Sequence, residues 1–223
     1  MLNKATVIGA GLAGSEAAWQ LAQRGIAVDL YEMKPVRMTP AHHSNDFAEL
    51  CCSNSLRGAE ICTAPGLLKE ELRRAGSLLI ACADATRVEA GGALAVDRVA
   101  FAAMVTEKIK SHPNITVHAG EITHIPDEGH VIVATGPLTS DALFDDIKNK
   151  IGQHEYLHFY DAAAPIVSFD SVDMESAYFA SRYDKGTADY INCPMDKEQY
   201  LAFVEALTTA EEAEVHGFED KRV

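Results

Sequence analysis

A chain of 223 residues has room for one large domain or one and a half ordinary ones. Hydrophobic residues make up 48% and charged residues 23%, so a sizeable core can be buried, and no apolar run nears the roughly 18 residues that a membrane-spanning helix needs. The net charge of −14 speaks against a nucleic-acid partner, but residues 1–140 carry 12 Lys and Arg against 15 Asp and Glu, whereas residues 141–223 carry 7 against 18.

In chain order, the apolar run Ala5 to Ile8 predicts a strand that leads into Gly9-Ala10-Gly11-Leu12-Ala13-Gly14. Ser15 to Arg24 predicts a helix, and Ile26 to Tyr31 a second strand ending on Glu32. Each part has a physical job in a strand–turn–helix–strand unit that holds a dinucleotide. Gly9 permits the tight turn, Gly11 lets the backbone approach a pyrophosphate, and Gly14 lets the helix lie close to the strand. The helix N-terminus offers free N–H groups and a positive dipole end to the phosphates, and Ala10, Leu12 and Ala13 of the turn join the glycines as cofactor-binding candidates. Glu32, 23 residues after Gly9, stands where a carboxylate accepts hydrogen bonds from ribose hydroxyls. A glycine-rich turn without a ligand is the alternative, and the flanking strands, helix and terminal acid weigh against it.

Met33 to Ala64 reads as a long irregular segment that holds Pro35, Pro40, His42-His43 and Cys51-Cys52, and loops of that length are usually functional. Gly66 to Ala75 predicts a charged helix. A polyanion would meet the chain near Arg57, Lys69, Arg73 and Arg74, although a solvated helix face accounts for the same residues. Gly91-Gly92 is a turn, and Asp97 to Ser111 an amphipathic helix with Val99, Met104, Val105 and Ile109 as core candidates. Ile115 to His118 and His130 to Ala134 are short strands. Val131-Ile132-Val133-Ala134-Thr135-Gly136 is the second nucleotide signal: Gly136 would let the backbone pass close to a cofactor. Alone it is an ordinary strand and turn; paired with the N-terminal unit it favours FAD over NAD.

His154-Glu155-Tyr156-Leu157-His158 matches the HExxH pattern of zinc proteases, which needs a helix. Its aromatic flanks favour a strand, which would hold the two histidines about 13 Å apart, so no metal site is expected. Cys51, Cys52, Cys62, Cys82 and Cys193 form no CxxC pair, and no cleavable signal is expected at the N-terminus. A reduced, cytoplasmic setting fits. Leu201 to Leu207 predicts a helix, and the change of texture near residue 150 divides the chain into 1–150 and 151–223.

Several longer segments carry a resemblance. Val7 to Glu16, Leu30 to Pro35, Thr39 to His42, Phe47 to Arg57, Gly66 to Lys69, Gly91 to Arg98, Tyr160 to Pro165, Ala180 to Tyr183 and Asp189 to Met195 are similar to the TrmFO family of folate- and FAD-dependent tRNA (uracil-5-)-methyltransferases. Ser-Asn-Ser-Leu-Arg, Gly-Gly-Ala-Leu-Ala-Val-Asp-Arg and Asp-Tyr-Ile-Asn-Cys-Pro-Met are far more specific than the glycine fingerprint. The resemblance implies an α/β fold, with a Rossmann-like FAD-binding domain of glutathione-reductase type over residues 1–150 and the start of an inserted second domain over 151–223. It also implies formation of 5-methyluridine at position 54 of the tRNA T loop. FAD would be the flavin, 5,10-methylenetetrahydrofolate the carbon donor and NAD(P)H the ultimate reductant.

Uracil carbon 5 is a poor nucleophile until a group adds to carbon 6, and a thiolate suits that addition. The resemblance places a working cysteine at Cys52; Cys51 reads as a neighbour without a role. Family members run on to a Phe-Glu-Gly-Cys motif, whereas this chain has Gly217-Phe218-Glu219-Asp220 and stops at Val223. It therefore reads as an N-terminal half, a fragment or a truncated gene product, inactive alone. Another FAD-dependent oxidoreductase, a related tRNA-modifying flavoprotein, and a non-catalytic dinucleotide-binding remnant are the competing readings.

Overall fold

The computed structural model describes residues 3–151, 167–181 and 187–211. The His154–His158 pattern, the aromatic run Tyr156 to Tyr160, the Tyr160–Pro165 segment, part of Ala180–Tyr183 and the chain end from Gly217 lie outside the described residues. The first half runs β1 (Lys4–Ile8), α1 (Leu12–Gln23), β2 (Ala27–Glu32), β3 (Ser55–Gly58), α2 (Ala64–Arg74), α3 (Leu78–Ala85), β4 (Arg87–Val88) and β5 (Ala93–Val96). It continues through α4 (Arg98–Lys110), β6 (Ile115–Ala119), β7 (Val131–Val133) and α5 (Asp141–Ile151) to β8 (Tyr178–Ala180), β9 (Tyr190–Asn192) and α6 (Lys197–Thr209).

Four strands form a parallel sheet in the order β6-β2-β1-β7. Val7 sits opposite Leu30 on one side and Ile132 on the other, and Leu30 opposite Val117. Period-two alternation sends Val7, Val28, Leu30 and Ile115 into one core with Leu78, Cys82, Phe101, Val105 and Ile109 of α3 and α4. The other face carries Lys4, Asp29, Tyr31 and His118. There Asp29 takes Lys4 Nζ at 2.6 Å and His118 Nε2 at 2.9 Å, and the His118 ring stacks on Tyr31. The hydrogen bond from Lys4, ahead of that from His118, holds the Asp29 carboxyl below the usual carboxylate range.

Helix α1 buries only small residues, Gly14, Ser15, Ala18 and Ala22, and so lies close on the sheet. Its Glu16 reaches α3, accepting from the Ser77 hydroxyl (2.8 Å) and the Leu79 N–H (3.0 Å). Helix α4 begins where the Asp97 carboxylate accepts the N–H groups of Val99 and Ala100, each at 3.0 Å. Its core stripe is Phe101, Ala102, Val105, Thr106 and Ile109, with Met104 partly buried. Val99, expected in the core, is 73% exposed. It lies two residues, about 200° of helix, from Phe101 and so faces water.

The irregular segment expected from Met33 to Ala64 contains a strand, β3, which joins β5 and β4 in an antiparallel sheet. Short α3 and α5 were without a sequence signal. Strands β8 and β9 form a separate antiparallel hairpin, tied to the Gly91-Gly92 turn. Gly91 N–H donates to the Asp189 carboxylate at 2.5 Å, and the Tyr190 hydroxyl to Ala90 O at 3.0 Å. No helix among the described residues is long and apolar enough to cross a membrane.

Candidate functional site

A cavity of about 690 Å³ opens at the carboxyl ends of β1, β2, β6 and β7, where doubly wound sheets hold their ligands. Gly9, Ala10, Gly11, Leu12, Ala13, Glu32, Cys52 and Gly136 all line it, though Gly9 and Gly136 are 127 residues apart in the chain. Gly14 does not line it; it is buried behind the turn.

The three glycines of the turn differ in what surrounds them. Gly9 has φ +96°, and a Cβ there would meet Ala134 O at 2.7 Å, so the turn is pressed against the end of β7. At Gly14 a Cβ would fall 1.8 Å from Gly9 O, which is why α1 can sit on the turn. At Gly11 a Cβ would meet nothing within 4 Å, and its φ of −70° suits any residue. Gly11 is thus dispensable to the fold and leaves bare backbone facing open space at the start of α1. Gly136, with φ +68°, also has open space around it.

Glu32 is buried, and its carboxylate spans two backbone groups. Oε2 accepts from Ala10 N–H at 2.8 Å and Oε1 from Lys34 N–H at 3.0 Å. The acid at the end of β2 thus clasps the glycine turn itself, a role the spacing did not reveal. Each carboxylate oxygen has a second acceptor site, which leaves capacity for ribose hydroxyls.

The loop after β2 is braced from within. Lys34, buried, donates to Ser44 O (3.1 Å) and Asp46 O (2.5 Å) and lies 3.5 Å from Glu49. Phe47 N–H donates to Thr106 Oγ1 at 2.7 Å. Burial works against charge on Glu49, yet the N–H groups of His43 and Ser44, with Lys34, hold its carboxyl below the usual range. His42, at 2.6 Å from Thr39 Oγ1, has its pKa lowered by burial and by Lys34, so a neutral imidazole lines the cavity. Since the folded pKa of Glu49 is lowered, its contribution to stability is present above the ordinary carboxylate range and is lost as pH falls through the lowered value. The melting-temperature gap between wild type and Glu49→Gln should be full at pH 7 and shrink as pH falls below the ordinary carboxylate range. A gap independent of pH would make Glu49 a packing residue only.

Cys52 is exposed, and Cys51, read as a bystander, lines the cavity beside it. The following residues fix this wall: Asn54 Nδ2 donates to Val96 O and Val96 N–H to Asn54 O, both at 3.0 Å. The three most specific motifs therefore meet in space, Ser53–Arg57 on β3, Gly91–Arg98 on β5, and Asp189 against Gly91.

The basic residues expected to attract a polyanion are mostly committed elsewhere. Lys69 is buried, donating to Gly58 O (3.0 Å) and Pro65 O (3.1 Å), with its pKa lowered by burial and by Arg73 and Arg57. Arg73 is paired with Asp84 at 2.7 and 2.8 Å, and Arg74 with Glu70 at 3.0 Å. No cluster of three or more His, Cys, Asp or Glu among the described residues is placed to hold a metal ion.

A parallel sheet with a glycine turn between its first strand and first helix, facing an acid at the end of the second strand, defines a Rossmann-type α/β protein. The chain belongs to the glucose inhibited division protein A family, whose model matches residues 4–223. It is 59% identical over 223 residues to the methylenetetrahydrofolate–tRNA-(uracil-5-)-methyltransferase TrmFO of Lactobacillus delbrueckii subsp. bulgaricus, covering 100% of this chain and 51% of that protein. It is also 59% identical over 219 residues to the protein of the same name from Listeria monocytogenes, covering 98% of this chain and 50% of that one. The chain spans about half the length of the curated relatives it matches. Among solved structures, the GidA-related protein from Thermus thermophilus aligns with 61% of this chain and 54% of its own, at 17% identity and a TM-score of 0.34.

Proposed function

We propose that this chain is the N-terminal half of a cytoplasmic methylenetetrahydrofolate–tRNA-(uracil-5-)-methyltransferase, with residues 1–150 the first part of an FAD-binding domain and 151–223 the start of an inserted one. The observation that carries the reading is the convergence of the glycine turn, Glu32, Gly136 and Cys52 on one cavity. The names of the curated relatives support the substrate pair, tRNA and a methylene-bearing folate.

The residues fit FAD. The backbone at Gly11 is bare toward open space, so a pyrophosphate can come within hydrogen-bond reach of the N–H groups at the start of α1. Glu32 would hold the adenosine ribose with its remaining acceptor sites, and Gly136 would let the chain after β7 pass close to the cofactor. FAD, when bound, supplies the reducing equivalents that turn a transferred methylene group into a methyl group, and NAD(P)H restores them. Cys52, on the cavity wall, would move a proton or support the addition at uracil carbon 6.

The test is an assay of 5-methyluridine in T-loop RNA, with folate donor, FAD and NADPH. A full-length protein should form the product and residues 1–223 alone should not; no product from the full-length protein would overturn the reading. A second expectation concerns Glu32. Losing a charge-assisted hydrogen bond costs on the order of 1.5–3 kcal/mol, so full-length Glu32→Ala should bind FAD roughly ten- to a hundred-fold more weakly. An unchanged dissociation constant would leave Glu32 as a clasp for the glycine turn alone.

A further inference from the structure

The walls of the cavity fall into two braced pieces. One is the segment after β6 together with α5: Asp146 accepts from Ile125 N–H (2.8 Å) and holds His124 (3.1 Å), and Lys150 Nζ reaches Asp127 (2.5 Å). The other is the loop after β2, tied internally by Lys34 and Glu49 and fastened to α4 through Thr106. Glu121 and Ser140 of the first piece line the cavity, as do Thr39 and His42 of the second.

Arg37 connects the two. It stands on the turn closed by its own N–H to Met33 O (2.8 Å), and its Nη1 donates to both carboxylate oxygens of Glu121, at 2.7 and 2.8 Å. The Arg37 hydrogen bond, with a smaller contribution from nearby Ser140, holds the Glu121 carboxyl below its usual range. Asp141, next to Ser140, adds a second negative charge near the guanidinium. One carboxylate thus joins the loops after β2 and β6.

We propose that Arg37 and Glu121 form a clasp at the rim that holds the two walls together and sets how fast a bound dinucleotide leaves. The inference rests on the reading of the cavity as an FAD site. Neither Arg37 nor its partners need touch the reacting atoms; they are positioning residues, acting through the walls they join. An exposed ion pair is screened by salt, so the clasp loosens as ionic strength rises, whereas the bonds to backbone groups within each piece, Lys34 to Ser44 O and Asp46 O and Ile125 N–H to Asp146, respond less.

The experiment is FAD release from the full-length protein, followed by flavin fluorescence after addition of a trap, at low and high salt. At low salt Arg37→Ala and Glu121→Gln should release FAD about three- to five-fold faster than wild type. The gap should narrow at high salt, and the reversed pair Arg37→Glu with Glu121→Arg should recover slow release. Wild-type rates in both single variants, or a gap insensitive to salt, would overturn the clasp while leaving the FAD site standing. A wild-type protein that holds no FAD would overturn both.

Discussion

A full-length Gly11→Val protein should fold and yet purify without a flavin spectrum. The two halves of that expectation come from separate observations. A Cβ at Gly11 would meet nothing within 4 Å, and the backbone there is already extended, at φ −70° and ψ −165°, with no positive φ to require glycine. The apo fold therefore loses no more than the small preference for glycine over valine at a helix start, roughly 1 kcal/mol. On the FAD reading proposed above, a pyrophosphate would approach the backbone through the same open space, and two methyl groups there would block it. Gly14→Ala is the counter-experiment. Its Cβ would lie 1.8 Å from Gly9 O, a backbone atom that cannot swing aside, so α1 must be pushed off the turn and the protein destabilised by about 1–3 kcal/mol or more. Stoichiometric FAD in Gly11→Val would place the pyrophosphate elsewhere. Unfolding of Gly11→Val with a stable Gly14→Ala would reverse the roles given to the two glycines.

The second large effect is expected at Cys52. In a full-length protein, Cys52→Ala should lose at least about a hundred-fold in 5-methyluridine formation, the scale on which a positioned proton-transfer group acts, while still binding FAD. The reason is the division of labour the reaction demands, since addition at carbon 6 and removal of the carbon 5 proton are separate tasks. Cys52 stands on the wall of the same cavity as the glycine turn, on a loop pinned to β5 by the paired hydrogen bonds of Asn54 and Val96. Its removal takes away a thiol without disturbing that pin. Retained flavin with lost turnover separates chemistry from binding; full turnover would reduce Cys52 to a lining residue, and loss of flavin would make it part of the cofactor site instead.

What could be read in the sequence was whatever rests on a steric rule. The glycine turn was legible because Gly9 and Gly14 each answer a different backbone demand, a positive φ and a close approach to Gly9 O, and the core of α4 largely so because Val105 and Ile109 repeat at helical spacing. Val99 misled for the same reason: an apolar residue near a helix start matches the composition of a core stripe but not its phase. Partnerships between distant groups left no trace. Nothing in the order of residues says that Glu32 closes on Ala10 N–H, that Lys69 is buried among carbonyl groups rather than offered to a polyanion, or that Arg37 meets Glu121 some 84 positions later. Strand β3 and helix α3 were missed because they are short and their stability comes from neighbours, β5 and Glu16, rather than from their own periodicity.

The position of β1 inside the sheet also sets an order of assembly. It has β2 on one side, completed within the first 32 residues, and β7 on the other, which begins at residue 131. As the chain emerges from the ribosome, the glycine turn is made well before the carbonyl of Ala134 against which Gly9 is pressed, which lies 125 residues further along. Pairing of such sequence-distant strands carries a large loop-closure cost and comes late. Ala134, Thr135 and Gly136 line the cavity, so its wall is complete only once β7 has docked.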